Sequence, residues 1–371
     1  MRYTRILQLC VCALLAGGCQ NEIDYNMQDT AEKLVVNALM ETDRNLHTVY
    51  VSVSSPQGLS RADDARVRCL VNGRPVATGQ LVQKEDQSIY FSNSHGSAFT
   101  FHADFHEGET VRIEASLGTL EAAASVVVPP SVRILSAGFT KEKHRIVDWS
   151  WTDYTFTVQV EDRSGEADFY RMGLSSTGSQ TFHFLSETGE TLYPDQVTDY
   201  RREDLSFDIG RDPILNDGYA YEDDDSFLGA LNPTNRMRVF SDRLFADRTA
   251  TVRMSADTAL FGPSDYSMGA LPDEAGYDQL MSTNWEADPV AVIRLMSLSR
   301  GHYDYYKAIN SGDYFDFEVN PLIEPVSVPS NVEGGLGFVG VASVSSFAVS
   351  LPRVTNRDLR WLYTDFFSGG E

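Results

Sequence analysis

Cysteine able to pair is the first thing this chain is short of. It has four cysteines, and Cys10 and Cys12 lie in an N-terminal apolar run that reads as a cleaved signal. That leaves Cys19 and Cys69, which excludes the disulfide framework of a small secreted domain. Long apolar runs are missing too. The longest, residues 6–16, is too short to span a bilayer, and no later stretch reaches the length of a membrane helix. Basic charge is scarce: 30 Lys and Arg stand against 53 Asp and Glu, a net charge of −23. This excludes the basic footprint of a nucleic-acid binder and charge-driven adhesion to anionic lipid. The local motifs G-x-S-x-G, H-E-x-x-H, C-x-x-C and the phosphate-binding P-loop are absent. Their absence leaves open a catalytic group assembled by the fold, which geometry defines rather than sequence.

What the N-terminus does have is an export signal. Arg2 and Arg5 precede the apolar run, and Gly17-Gly18-Cys19 closes it. Basic start, apolar middle and small residues before a cut define a secretory signal. A cysteine just after the cut predicts a lipoprotein: signal 1–18, lipidated Cys19 as the mature N-terminus, and a polar tether over 19–32. The alternative is an ordinary signal peptide cut nearby. Glu22 and Asp24 sit just behind the cysteine, either as a surface-export signal or as a solvated acidic tether. Several acyl chains on one cysteine anchor a protein firmly, since each buried CH₂ contributes about 0.8 kcal/mol.

From Lys33 the pattern is that of short strands. Val49, Val51 and Val53 alternate with Tyr50, Ser52 and Ser54. Asn72-Gly73 marks a hairpin, because both residues tolerate positive φ, and further turns fall at Gly108 and Gly118. Short strands at ten-residue intervals predict an immunoglobulin-like sandwich over 33–130, closed by Pro129-Pro130. Cys69, in an apolar setting, reads as a buried small hydrophobe. A larger β-rich domain is expected over 131–355, with 178–235 and 262–289 as loops and insertions. Its one clear helix is "RGHYDYYKAINSG", capped by Ser299 and ended by Gly312, with Tyr303 and Tyr306 on one face. Residues 356–371 form a tail with helical spacing. The fold class is therefore mostly β, an N-terminal immunoglobulin-like sandwich followed by a larger β-rich domain with one or two short helices.

Gly335, Gly337 and Gly340 have the G-x-G-x-x-G spacing of a dinucleotide loop. Such a loop must follow a strand and open a helix. Here Pro325 and Pro329 break the approach, and the β-branched "VGVASVSSFAVS" follows, so the glycines are expected to bend the chain into a last strand. No cofactor is expected. Glu222 to Asp225 are read as a solvated acidic loop against a calcium site, since they lack the spacing of a calcium loop. His102 and His106 share a strand face but lie about 13 Å apart at ~3.3 Å per residue, too far to share a metal; His95 lies near them in sequence. Trp149 and Trp151 lie on one strand face, as sandwich core or as a stacking platform for a sugar or aromatic ligand. Trp285 is expected in an exposed loop. No catalytic residue is singled out.

The C-terminal signature Asn320-Pro321, Glu324-Pro325-Val326 and Asn331 to Gly337 resembles the close of a Bacteroidota outer-membrane lipoprotein family, domain of unknown function 4249. "VIRLMSLSRGHYDYYKAIN", "FSDRLFADRT" and "KLVVNALMETD" are similar to its earlier segments. The resemblance spans nearly all the mature chain, with residues 355–371 outside the pattern. It implies an exported, β-rich lipoprotein often found beside TonB-dependent transporters, and it carries no catalytic residues. The function expected is a non-catalytic accessory or ligand-binding lipoprotein of the outer membrane, partnering such a transporter. The alternatives are a surface hydrolase on glycan or peptide, and a structural adhesin or fimbrial component.

Overall fold

The computed structural model describes residues 31–83, 96–146, 149–163, 165, 167–185, 191–210, 212–219, 234–262, 284–312 and 328–355. The signal, Cys19, the tether up to residue 30, the acidic loop Glu222 to Asp225, His95 and the C-terminal tail lie outside them. The strands of the first part are β1 (Lys33–Glu41), β2 (Leu46–Ser55), β3 (Gly58–Arg61), β4 (Arg66–Val71), β5 (Arg74–Thr78), β6 (Gln80–Leu81), β7 (Ser97–His102), β8 (Thr110–Leu117) and β9 (Leu120–Val127). Those of the second are β10 (Ile134–Ile146), β11 (Trp149–Val160), β12 (Phe169–Leu185), β13 (Thr191–Arg202), β14 (Val239–Ser241), β15 (Ala250–Asp257), β16 (Asn284–Leu298), β17 (Val339–Ser350) and β18 (Val354–Thr355). Helices cover Pro213–Asn216 and Arg300–Gly312. The protein is mostly β and layered as sandwiches, as expected.

One long sheet is common to both parts. Its order is β13-β12-β16-β17-β1-β2-β7-β6, and β14 pairs with β12, β18 with β16 and β3 with β2. A four-stranded sheet, β5-β4-β8-β9, covers one half of it, and a three-stranded sheet, β10-β11-β15, covers the other. Strand alternation explains the two cores. Leu34, Val36, Ala38 and Met40 of β1 pack with Val67, Cys69, Val111 and Ile113 in the first. Cys69 is fully buried there, and burial pushes its thiol up to about 12. Tyr154, Phe156, Val158, Met172, Leu174, Ile293 and Leu295 build the second.

Strand β17 serves both cores. Val339 and Val341 belong to the first and Val349 to the second. It runs parallel to β1, Ala38 opposite Val339, and antiparallel to β16. The sandwich read over 33–130 is therefore completed by a strand some 300 residues after β1. Local alternation cannot reveal that partner, because a parallel neighbour reaches its place through a crossover.

The glycine motif makes this pairing fit. Glu333 bridges to Ala123 of β9, with N–H···O distances of 2.7 and 3.0 Å. Leu336 bridges to β1 through Leu34 and Val36, both at 2.8 Å. Between these bonds the chain crosses from one sheet to the other. Gly334 (φ +72°) and Gly337 (φ +104°) take backbone that other residues rarely adopt. A Cβ on Gly335 would stand 2.5 Å from the Leu34 carbonyl oxygen. Asn331 fixes the start of β17 by accepting from Val339 N (2.9 Å) and donating to its carbonyl (2.7 Å). Gly340 lies in the strand and opens no helix, as the sequence implied.

The opposite face of the long sheet carries the helix Arg300–Gly312. Ser299 Oγ accepts from His302 N at 3.3 Å, the expected cap. Tyr303 and Tyr306 are buried against Met296, Leu298 and Ala342. His302 is buried flat against Gly340, where a Cβ would meet its ring at 2.7 Å. Burial, with Arg171 adding to it, lowers its imidazole to about 3, so it sits there uncharged.

Two polar devices fix the layers. Arg294 on β16, 3% exposed, donates to Glu41 (2.7 Å) and Asp43 (2.8 Å) at the end of β1. Asn310 on the helix accepts from Met237 N (2.8 Å) and donates to Asn235 (2.9 Å). One expectation fails here. Residues 178–185 and 191–202, read as loops, are the far arm of β12 and all of β13. The hairpin lies at the sheet edge, and Val197 is 66% exposed, so no apolar alternation marks it.

Gly337→Ala is expected to cost about 3 kcal/mol or more in urea unfolding, from positive-φ strain and from overlap with the Val36 carbonyl. Gly118→Ala, a turn glycine at φ +60° with open space around it, should cost only about 1 kcal/mol. Equal costs for the two would mean that close approach at Gly337 carries no energy.

Candidate functional site

The three-stranded sheet β10-β11-β15 buries one face in the second core and turns the other outward. Tyr154, Phe156 and Val158 point in. Trp151, Asp153, Thr155, Thr157 and Gln159 point out, half-buried to exposed. Antiparallel register sets the outward residues in rows across the strands. His144 lies opposite Trp151, and Glu142 opposite Asp153, which in turn faces Asp257. Thr140, Thr155 and Ser255 form the next row, then Gly138, Thr157 and Arg253.

Residues 208–210 and 212–213 close one side. Asp208 and Ser255 exchange two backbone hydrogen bonds of 2.7 Å. Asp212 accepts from Arg253 N at 2.8 Å, while its other oxygen caps the helix Pro213–Asn216 through Ile214 N and Leu215 N, each at 3.0 Å. Between these residues and the sheet lies an open groove of about 580 Å³, lined by Glu142, Thr155, Asp208, Ile209, Arg253 and Ser255 among others. That volume is within the range of small-molecule sites, about 300–1,000 Å³.

Glu142, Asp153 and Asp257 are like charges placed directly across from one another, an arrangement that destabilises a sheet. Burial first, with Asp257 and Asp208 adding to it, raises the Asp153 carboxyl above the ordinary carboxylate value. His144 partly offsets this at 3.2 Å. Trp151 Nε1 donates to Asp153 at 3.3 Å, and His144 stacks on the indole with centroids 5.0 Å apart. The aromatic pair therefore stands next to the carboxylate row on the groove's own face.

Another acidic group, Asp162, Asp168 and Asp242, brings ligand atoms within 4.8 Å of one another. Its oxygens already have partners. Arg163 pairs with Asp168, Tyr170 donates to Asp162 at 2.9 Å, and Asp168 N donates to Asp242 at 3.0 Å. These bonds fasten the turn between β11 and β12 to the segment after β14.

The residues singled out from sequence are scattered. His102 ends β7 and His106 lies in the following turn, both exposed. Trp285 is not in a loop; it lies in β16 opposite Phe182. Trp151 is on the outer face and half-buried, not in the core. Sequence reasoning missed the carboxylate row and residues 208–210 and 212–213. Only the pairing of β10, β11 and β15 brings these positions together, and β15 follows β11 by some ninety residues.

Comparison with known proteins gives a family. The family model described as "Domain of unknown function (DUF4249)" matches residues 20–348. The chain belongs to this family. No curated protein matches it. Among solved structures, bovine butyrophilin is similar at 8% identity and a TM-score of 0.19, covering 70% of this chain and 92% of that one. A DUF4785 family protein from Legionella pneumophila is similar at 10% identity and a TM-score of 0.18, covering 71% and 52%. Superpositions this loose carry no functional argument.

The Asp153 carboxyl is held above its ordinary value, so its ionisation costs folding stability once the pH exceeds the ordinary carboxylate range. Asp153→Asn should stabilise the protein by roughly 0.2–1 kcal/mol at pH 7, the scale of a cross-strand pair. The gain should fade below about pH 4, where both folded and unfolded carboxyls are protonated. Urea unfolding at the two pH values checks this; a loss of stability at pH 7 would contradict it.

Proposed function

We propose that this protein is a lipid-anchored accessory lipoprotein of the outer membrane that captures a ligand on the outer face of β10-β11-β15, non-catalytically, for a TonB-dependent transporter. The observation that carries the ligand-binding part is the groove of about 580 Å³ beside a row of like charges kept on one sheet face. Groups arranged against stability are most common where a site does work. The anchor rests on the sequence around Cys19, and the transporter on the family resemblance. A tether of residues 19–32 lets β1 stand at most about 45–50 Å from the lipid at ~3.3–3.6 Å per residue, enough reach to meet a partner in the same membrane.

The experiment uses the source cell. Wild-type protein should incorporate an alkyne-palmitate label and enrich in outer membranes, and Cys19→Ala should lose the label. An affinity tag at the C-terminus should bring down a TonB-dependent transporter after mild detergent extraction. Label retained in Cys19→Ala would sink the anchor, and a purification in which no such transporter is enriched over an unrelated tagged lipoprotein would sink the partnership.

A further inference from the structure

We propose that the groove on the outer face of β10-β11-β15 binds a neutral glycan, with Trp151 stacking on a sugar ring and the rows beside it taking the hydroxyls. This rests on the ligand-binding reading above and names the ligand class of that same site.

The argument is one of hydrogen-bond sense and charge. A carboxylate only accepts, a guanidinium only donates, and a hydroxyl does both. The face presents all three within adjacent rows: Glu142, Asp153 and Asp257, then Thr140, Thr155 and Ser255, then Arg253. A sugar matches this mixture, because every hydroxyl can give to a carboxylate or take from a guanidinium. A polycation would meet Arg253 in the same groove, and a polyanion would meet Glu142 and Asp208. Not all the acids are available. Both oxygens of Asp212 are spent on backbone N–H groups, and one of Asp208 accepts from Gly210 N at 2.6 Å. The lining is thus less anionic than its composition.

The aromatic completes the match. Trp151, Asp153 and Thr155 succeed one another on one strand face, at ~6.6 Å per two residues, so the indole stands within two such steps of the groove-lining Thr155. An indole offers a flat apolar surface to the C–H face of a pyranose, while its N–H is held elsewhere, here by Asp153. His144 covers one side of the ring and fixes its plane. The groove is neither enclosed nor flat, which leaves a bound sugar free to continue into solvent as a segment of a chain. Asp153 already accepts from Trp151 and pairs with His144, and Asp257 accepts from Ala259 N at 2.8 Å, so hydroxyl donors from a bound sugar would meet the carboxylate oxygens that remain and relieve the repulsion across the row.

The test uses the mature chain, residues 20–371, purified without its lipid. Affinity electrophoresis runs it through gels containing a soluble α-glucan, a β-glucan, a xylan or a galactomannan, with oligolysine in solution as the cationic probe. Retardation by at least one polysaccharide is expected, with affinity falling at least tenfold in Trp151→Ala. Should Trp151→Ala fail to fold by circular dichroism, Thr155→Lys, which fills the groove from an outward-facing position, decides with the same expected loss. No retardation by any of the four overturns the proposal. So does retardation unchanged in Trp151→Ala or in Thr155→Lys, or binding to oligolysine alone. If retardation is absent while the transporter still co-purifies, the glycan class fails and the accessory reading stands. If both are absent, the reading beneath it fails as well.

Discussion

Everything in this fold hangs on the parallel contact between β1 and β17. Parallel pairing needs a crossover, and here the crossover is most of the chain. The stretch Glu333 to Gly337 makes the contact possible by bonding to β9 on one sheet and β1 on the other within a few residues. Two positive-φ glycines and one with no room for a Cβ permit it. Beyond this clasp, β17 enters the long sheet and gives side chains to both cores. Arg294, between Glu41 and Asp43, fastens the same junction one strand over. Such a buried ion pair adds little net stability, yet breaking one half of it is costly, about 3–5 kcal/mol. Its effect is to fix where β16 meets β1.

That scaffold explains the position of the outer face. The three-stranded sheet is covered on its inner side by the second core, so its outer side is free to carry groups that packing would not accept. A row of three acids, a row of hydroxyls and a tryptophan held by histidine and aspartate all stand there. Residues 208–210 and 212–213 bound them, through the backbone bonds between Asp208 and Ser255 and through the Asp212 carboxylate, which accepts from Arg253 N. The site is thus an exterior one, built on rigid strands, with its polar groups set by register.

Much of this was legible in the sequence. Valine alternation gave β2, Asn72-Gly73 gave the β4–β5 turn, and Ser299 with Gly312 bounded the helix. The glycine motif was correctly separated from a nucleotide loop, because Pro325 and Pro329 precede it and β-branched residues follow. What stayed hidden has two physical causes. β13 is an edge strand whose exposed residues lack the apolar period that marks half-buried strands. The clasp, the shared sheet and the carboxylate row are contacts between positions tens to hundreds of residues apart, and local pattern says nothing about which strands become neighbours. Trp151 was visible as a stacking platform or as core, but the groups around it were not, since Asp153 and Glu142 acquire meaning only through the register of β10 on β11.

The central claim is that the first sandwich does not stand without the C-terminal clasp. Hydrogen exchange on a chain ending at residue 330 measures this directly. The account predicts that amides of β1, β4, β8 and β9 lose their protection by several orders of magnitude relative to the full chain, because Val339 and Val341 leave the core and β1 loses a neighbour. Protection of those strands at full-chain values would contradict it, and would mean that residues 33–130 fold on their own.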